Sequence, residues 1–221
     1  MASDSSTATA LQPGDRPLLV TIVGPTAIGK TTRAIEIAQL LGCEIINADS
    51  RQIFRDMPIG TAQPSAEERT CVPHHFVDFV DVEEHYSAGQ FATDAVQWLD
   101  DWFKTHKTAV MVGGSGLYIK AVLEGLDEMP ADLTIRMALN QQLKESGIEA
   151  LAEELRALDP DHASKMDIKN PQRVVRALEV CLASGKPFSS FHTPRLAPRI
   201  FDTVNIGLEM DRSLLIDRIN E

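Results

Sequence analysis

Gly24, Gly29, Lys30 and Thr31 stand at the spacing G-x-x-x-x-G-K-[ST], and the chemistry of that pattern is the holding of phosphate. Glycines let backbone N–H groups curl around phosphate oxygens, and a helix that follows points its positive end at the same anion. Lys30 adds a mobile positive charge and Thr31 a hydroxyl suited to Mg2+. The octet Gly24, Pro25, Thr26, Ala27, Ile28, Gly29, Lys30, Thr31 is therefore expected to bind a phosphate or pyrophosphate. A second group lies at Asp49, which ends the apolar run EIINAD and is followed by Ser50, Arg51 and Gln52. An acid there can accept a proton from a substrate; a helix or turn cap is its alternative role. A third is the glycine-rich GGSGLY, Gly113–Tyr118, with Ser115 inside it. Arg173 and Arg176, three apart, share one helix face, which could equally be a solvated surface.

These groups need elements to position them. LLVTIV before the phosphate loop reads as a strand, and Thr32–Leu41 has apolar residues at helical spacing with Gly42 as its stop. Glu44–Asp49 and Thr108–Val112 read as short buried strands whose carboxyl ends carry Asp49 and the glycines, the side on which open α/β sheets bind ligands. The glycines are expected to let backbone come close to a ligand. Met57–Pro64 reads as a loop, Ser65 caps a short helix, and Pro73-His74-His75 reads as a turn with one histidine hydrogen-bonded. Adjacent histidines cannot face one ion from a strand, so a metal site is not expected there. Phe91, Ala95, Trp98, Leu99 and Trp102 form the apolar stripe of a helix ending near Thr105. Ala131–Leu158 is helix-forming with a break at Gly147; Asn170 and Pro171 cap and open another helix, which Gly185 stops. A strand near Ile200–Leu208 and a helix capped by Asp211 follow.

Alternating strands and helices around a phosphate loop give an α/β fold: a P-loop-containing parallel sheet flanked by helices, with a mostly helical insertion. The expected organisation is a disordered tail at 1–16, a core at 17–130 plus 195–221, and the insertion at 131–194. The 221 residues, 43% hydrophobic and 24% charged, suit a soluble globular chain. No apolar run approaches a membrane span, and the polar N-terminus is not a secretory signal. Cys43, Cys71 and Cys181 are scattered without a C-x-x-C pair, which fits a reducing cytoplasm. A net charge of −11 argues against a broadly nucleic-acid-coating protein, so any RNA contact must come from particular residues.

On these grounds two reactions fit. In one, ATP sits in the loop and a kinase phosphorylates a small acceptor activated by Asp49. In the other, the loop holds the pyrophosphate of an ester as leaving group. No acid ends the strand TAVMV, so the second acid usual in a nucleoside-triphosphate hydrolase is missing there.

GPTAIGKT, DSRQIFRDMPIGTAQP, PHHFVD, YSAGQF, GGSGLYIKA and NPQRVVRALEV, in that order, resemble the tRNA dimethylallyltransferase family. The resemblance implies that the loop holds dimethylallyl diphosphate with Mg2+, and that N6 of the adenine 3′ of the tRNA anticodon attacks it. It implies Asp49, Thr26 and Lys30 as catalytic, with Thr26 on the diphosphate bridge and Thr31 as the protein's Mg2+ ligand. It implies tRNA contacts by Asp49, Ser50, Arg51, Gln52, Ser115, Arg136, Gln172, Arg173, Val174, Val175 and Arg176, in a monomeric cytoplasmic enzyme that meets the anticodon stem–loop and no membrane. The chain departs from the family in three places. Ile28 replaces a small loop residue, Ser115 stands for threonine, and the chain stops at Glu221 before an arginine on the diphosphate and a glycine–tyrosine segment on the tRNA. Weak or no activity is expected of this piece alone. An adenylate isopentenyltransferase, a kinase and a non-enzymatic nucleotide-binding module are the alternatives.

Overall fold

The computed structural model describes residues 16–127, 129–191 and 198–220. The expected disordered tail lies outside these, except for Arg16. That residue is anchored: its guanidinium pairs with Asp202 at 2.8 Å and donates to the Phe201 carbonyl at 3.0 Å and to the Arg199 carbonyl.

Among the described residues five strands form one parallel sheet. They are β1 (Leu18–Val23), β2 (Ile45–Asn47), β3 (His74–His75), β4 (Thr108–Val112) and β5 (Asp202–Gly207), in the order β3-β2-β4-β1-β5. Thus β4 separates β1 from β2, with Val112 opposite both Ile22 and Asn47. The core strands are continuous apolar runs because both faces are covered. On one face Leu19, Ile46, Ala109 and Met111 pack on Phe91, Ala95 and Leu99 of α4 (Ala88–Trp102) and on Tyr118 and Val122 of α5 (Gly116–Glu124). On the other, Val20, Ile22, Ile45, Val110 and Val112 pack on Ala34 and Ala38 of α1 (Lys30–Leu41).

Local signals set the helix ends. Gly42 closes α1 in the left-handed conformation, and Ser65 with Glu68 forms a full capping box on α3 (Ala66–Cys71). Two stretches differ from expectation. Met57–Pro64 contains a one-turn helix, α2 (Pro58–Thr61), held by Gln52 and Gln63 side chains on flanking carbonyls. The histidine pair is a short edge strand on β2, because Ile45 pairs with His74 and Glu44 accepts from His75 Nε2 at 2.6 Å. Trp98 and Trp102 are half-buried on the α4 stripe and stack on each other.

Contacts divide the chain into Met1–Gly125 with Leu196–Glu221, and Leu126–Arg195. The second unit comprises α6 (Leu133–Leu158, broken at Gly147), α7 (Pro160–Lys165), α8 (Pro171–Ser184) and a 3-10 turn at Phe188–Phe191. Its core is Leu139, Leu151, Leu155, Val174, Leu178 and neighbours. The boundary falls a few residues before 131 because the segment leading into α6 bonds to α8: Asp132 N–H donates to Glu179, and Arg176 donates to the carbonyl of Pro130.

One glycine is fixed by the sheet. A Cβ on Gly113 would lie 2.0 Å from the Ala48 carbonyl oxygen, which is backbone and cannot yield cheaply. Gly113→Ala is therefore expected to cost about 1–3 kcal/mol or more, the range for forced overpacking. Urea denaturation of the two proteins measures it, and equal midpoints would contradict the close approach.

Candidate functional site

The carboxyl ends of β1, β4 and β2 lie side by side, and each carries one of the groups singled out in the sequence. After β1 the chain forms the phosphate loop and enters α1 through Gly29, which is left-handed at φ 94°. The helix begins with no side-chain cap and no acid in its first turn. By contrast α3, α4, α6 and α8 are capped by Ser65, Ser87, Asp132 and Asn170. The amide donors at the start of α1 are thus left for an anion. Pro25, Thr26 and Ala27 are exposed, while Ile28 is buried against the Gly24 backbone, so the larger residue fills space beneath the loop.

Lys30 Nζ donates to the Pro25 carbonyl at 2.8 Å, which folds the ammonium back over its own loop. Burial pulls its pKa below the ordinary lysine value, and the charge of Asp49 acts in the opposite sense. The Asp49 charge thus acts on Lys30 from the end of β2, with β4 between the two strands. An incoming diphosphate would add negative charge beside the same ammonium and favour its charged form.

Asp49 lies two residues beyond β2, and its Oδ1 accepts from Arg51 N–H at 3.0 Å. Tyr118, at the start of α5, has its phenol pKa raised by burial and by Asp49. Two glycines of the second glycine stretch are required by neighbours within the protein. Gly113 is bare because Ala48 crosses it, and a Cβ on Gly114 would sit 3.0 Å from Asp49 Oδ2. Gly113 makes room for the Ala48 backbone and Gly114 for the acid. Asn47 was missed in the sequence: it is 3% exposed with an unpartnered Nδ2 at the end of β2. Its polarity within an otherwise apolar strand was the available signal.

The residues implied to touch tRNA are divided between the two units. Arg51 is exposed beside Asp49, and Ser50 and Ser115 are half-buried there. The Gln52 side chain is engaged by the carbonyls of Thr61 and Ala62, at 3.0 and 2.8 Å. Gln172 and Arg173 are exposed at the first turn of α8, beside a hollow of about 470 Å³ lined also by His162, Met166 and Phe188. Val174 and Val175 require correction: at 0% and 5% exposed they belong to the insertion's core, so their side chains offer nothing to RNA. Arg136 and Arg176 also have another task. Both donate to Glu179 Oε2, at 2.7 and 2.9 Å, and Glu179 is fully buried. Glu179 was missed, although an acid three residues after an arginine on a helix is a pairing signal. Among the described residues no cluster of three or more His, Cys, Asp or Glu could hold a metal, and no helix is long and apolar enough to cross a membrane.

The family profile for IPP transferases matches residues 52–221. A tRNA dimethylallyltransferase of Christiangramia forsetii is 50% identical over 204 residues, covering 92% of this chain and 68% of its own length. The chain belongs to the IPP transferase family. A second tRNA dimethylallyltransferase, from Cytophaga hutchinsonii, is 44% identical over 91% of this chain and 67% of its own. Among solved structures, the tRNA isopentenylpyrophosphate transferase of Bacillus halodurans superposes with a TM-score of 0.58 at 37% identity, covering 93% of this chain and 64% of its own. A eukaryotic dimethylallyltransferase acting on tRNA gives a TM-score of 0.74 at 28% identity, covering 92% and 52%. This IPP transferase chain thus spans about two thirds of the length of the curated relatives it matches.

Proposed function

We infer that this chain transfers the dimethylallyl group of dimethylallyl diphosphate to N6 of the adenine 3′ of the anticodon in tRNA, as a monomeric cytoplasmic enzyme. The observation that carries the reading is the placement, at the carboxyl ends of β1 and β2 on either side of β4, of an uncapped phosphate-loop helix and an acid whose charge acts on Lys30. In the reaction the allylic C–O bond to diphosphate breaks, a C–N6 bond forms, and Asp49 takes the proton that N6 sheds. An adenine amine is a weak nucleophile, so rate depends on stabilising charge on the departing diphosphate and on removing that proton. The loop amides, Lys30 and Thr26 serve the first need. Thr31 fits Mg2+ as a single hydroxyl beside the diphosphate site, since Mg2+ takes few protein ligands alongside phosphate oxygens. When bound, Mg2+ supplies further charge neutralisation on the leaving group. The acceptor base must leave its stack to reach Asp49, at a cost of a few kcal/mol.

The deciding experiment incubates the protein with labelled dimethylallyl diphosphate, Mg2+ and an anticodon stem–loop RNA, with adenosine monophosphate as rival acceptor. Weak label in the RNA is expected of this piece alone. Label in the mononucleotide points to an adenylate isopentenyltransferase, and label in neither removes the reading.

A further inference from the structure

The last rung of the sheet, on the face covered by α1, carries three side chains in a row. Asn47 of β2 is in register with Val112 of β4, and Val112 with Ile22 of β1. Side chains alternate along a strand, so Asn47 shares the face of Ile45, which packs with Ile22, Val110 and Val112 on Ala34 and Ala38 of α1. Two members of the row are apolar and finish the core. The third is a carboxamide.

Asn47 is 3% exposed, and its Nδ2 is buried without a partner. An unsatisfied buried donor is destabilising and calls for an explanation. Among the described residues Thr21 Oγ1 and His74 Nε2 are also buried and unpartnered, but their positions differ. Thr21 lies in mid-strand on the opposite face, two residues after Leu19, and His74 belongs to the edge strand β3. Asn47 stands at a carboxyl end, the ligand side of a parallel sheet. It also stands on the face where the phosphate loop enters α1, in a row with Ile22, two residues before Gly24. The helix there begins with no side-chain cap and no acid in its first turn. This corner is therefore rich in N–H donors and poor in acceptors, and an anion with several oxygens supplies what it lacks.

We propose that Asn47 is a further binding residue for the diphosphate, its Nδ2 donating to an oxygen of the anion held by the loop. The amide is unpaired in the free protein and paired in the complex. This contact rests on the phosphate-loop reading above, and not on the identity of the acceptor. Binding of pyrophosphate in the presence of Mg2+ is measured by calorimetry for the wild type, Asn47→Ala, Asn47→Asp and Lys30→Ala, at a temperature where circular dichroism shows all four folded. Urea midpoints of the ligand-free proteins are compared in parallel. Asn47→Ala is expected to weaken binding by roughly tenfold to a hundredfold, the equivalent of one hydrogen bond to a charged group. Its midpoint should stay level, because losing an unpaired amide offsets the loss of packing. Asn47→Asp keeps the shape but exchanges the donor for an anion that only accepts, and should weaken binding further. Unchanged affinity in Asn47→Ala overturns the contact. So does tighter binding in Asn47→Asp, since a carboxylate there would serve Mg2+ and not the diphosphate. A clearly lowered midpoint in Asn47→Ala would mean that the amide is already satisfied in the free protein, and would overturn the proposal as well. A wild type that binds no pyrophosphate, or binding that survives Lys30→Ala, sinks the phosphate-loop reading itself and the Asn47 contact with it.

Discussion

Asp49→Ala is expected to lower transfer to RNA by about 10²–10⁴-fold, the contribution of a positioned acid or base, while donor binding in the phosphate loop is retained. Asp49→Asn sharpens the test. An amide can still accept the Arg51 N–H bond that Asp49 Oδ1 makes at 3.0 Å, so the turn survives while the basicity is lost. If proton acceptance is the role, the two variants are similarly slow. If Asp49 only orients the amine, the asparagine recovers most of the rate. Near-normal turnover by the alanine variant would remove Asp49 from the reaction altogether. The measurement is single-turnover transfer at saturating donor, beside an independent titration of donor binding.

The second large effect concerns stability, not rate. Glu179 is fully buried, and its carboxylate is held by Arg136, Arg176 and the Asp132 N–H. Replacing both arginines by methionine strands a buried charge on one backbone amide. That double substitution is expected to cost about 3–5 kcal/mol. Converting Glu179 to methionine as well should recover much of the loss, since buried ion clusters are often replaceable by apolar packing. Urea denaturation followed by a probe in the insertion measures both, and equal midpoints for wild type and double variant would contradict the buried clasp. Burial raises the Glu179 pKa, but the bonds from Arg136, Arg176 and Asp132 outweigh it and leave the carboxyl below its usual value. A depressed carboxyl stabilises the fold fully above the unfolded value, about 4.3, and that stabilisation fades as pH falls through the lower folded value. The insertion should therefore lose stability on acidification.

The phosphate loop and its flanking strand and helix were legible because the pattern is local: its residues lie within one turn and the elements beside it. Asp49 was legible for a related reason, since an acid at the end of an apolar strand lands on the ligand side of a parallel sheet. The roles of Gly113, Gly114 and Glu179 were not legible. Each depends on approach by a residue distant in sequence, Ala48 and Asp49 for the glycines and Arg136 for the glutamate. Val174 and Val175 show the same limit. A segment matched as a unit carries no information on which of its side chains turn inward, although their spacing from Leu178 at i+3 and i+4 on α8 offered it. The histidine pair was misread because its strand character comes from β2, not from any local preference.

The outer edge of the sheet carries a practical consequence. Among the described residues β5 pairs with β1 alone, and Val204 on it is 47% exposed. An open edge of this kind is a template on which other chains can add strands. A net charge of −11 opposes such pairing by mutual repulsion between copies. Colloidal behaviour should follow ionic strength and acidity, so dilute, low-salt, neutral buffers are the conditions in which it stays dispersed.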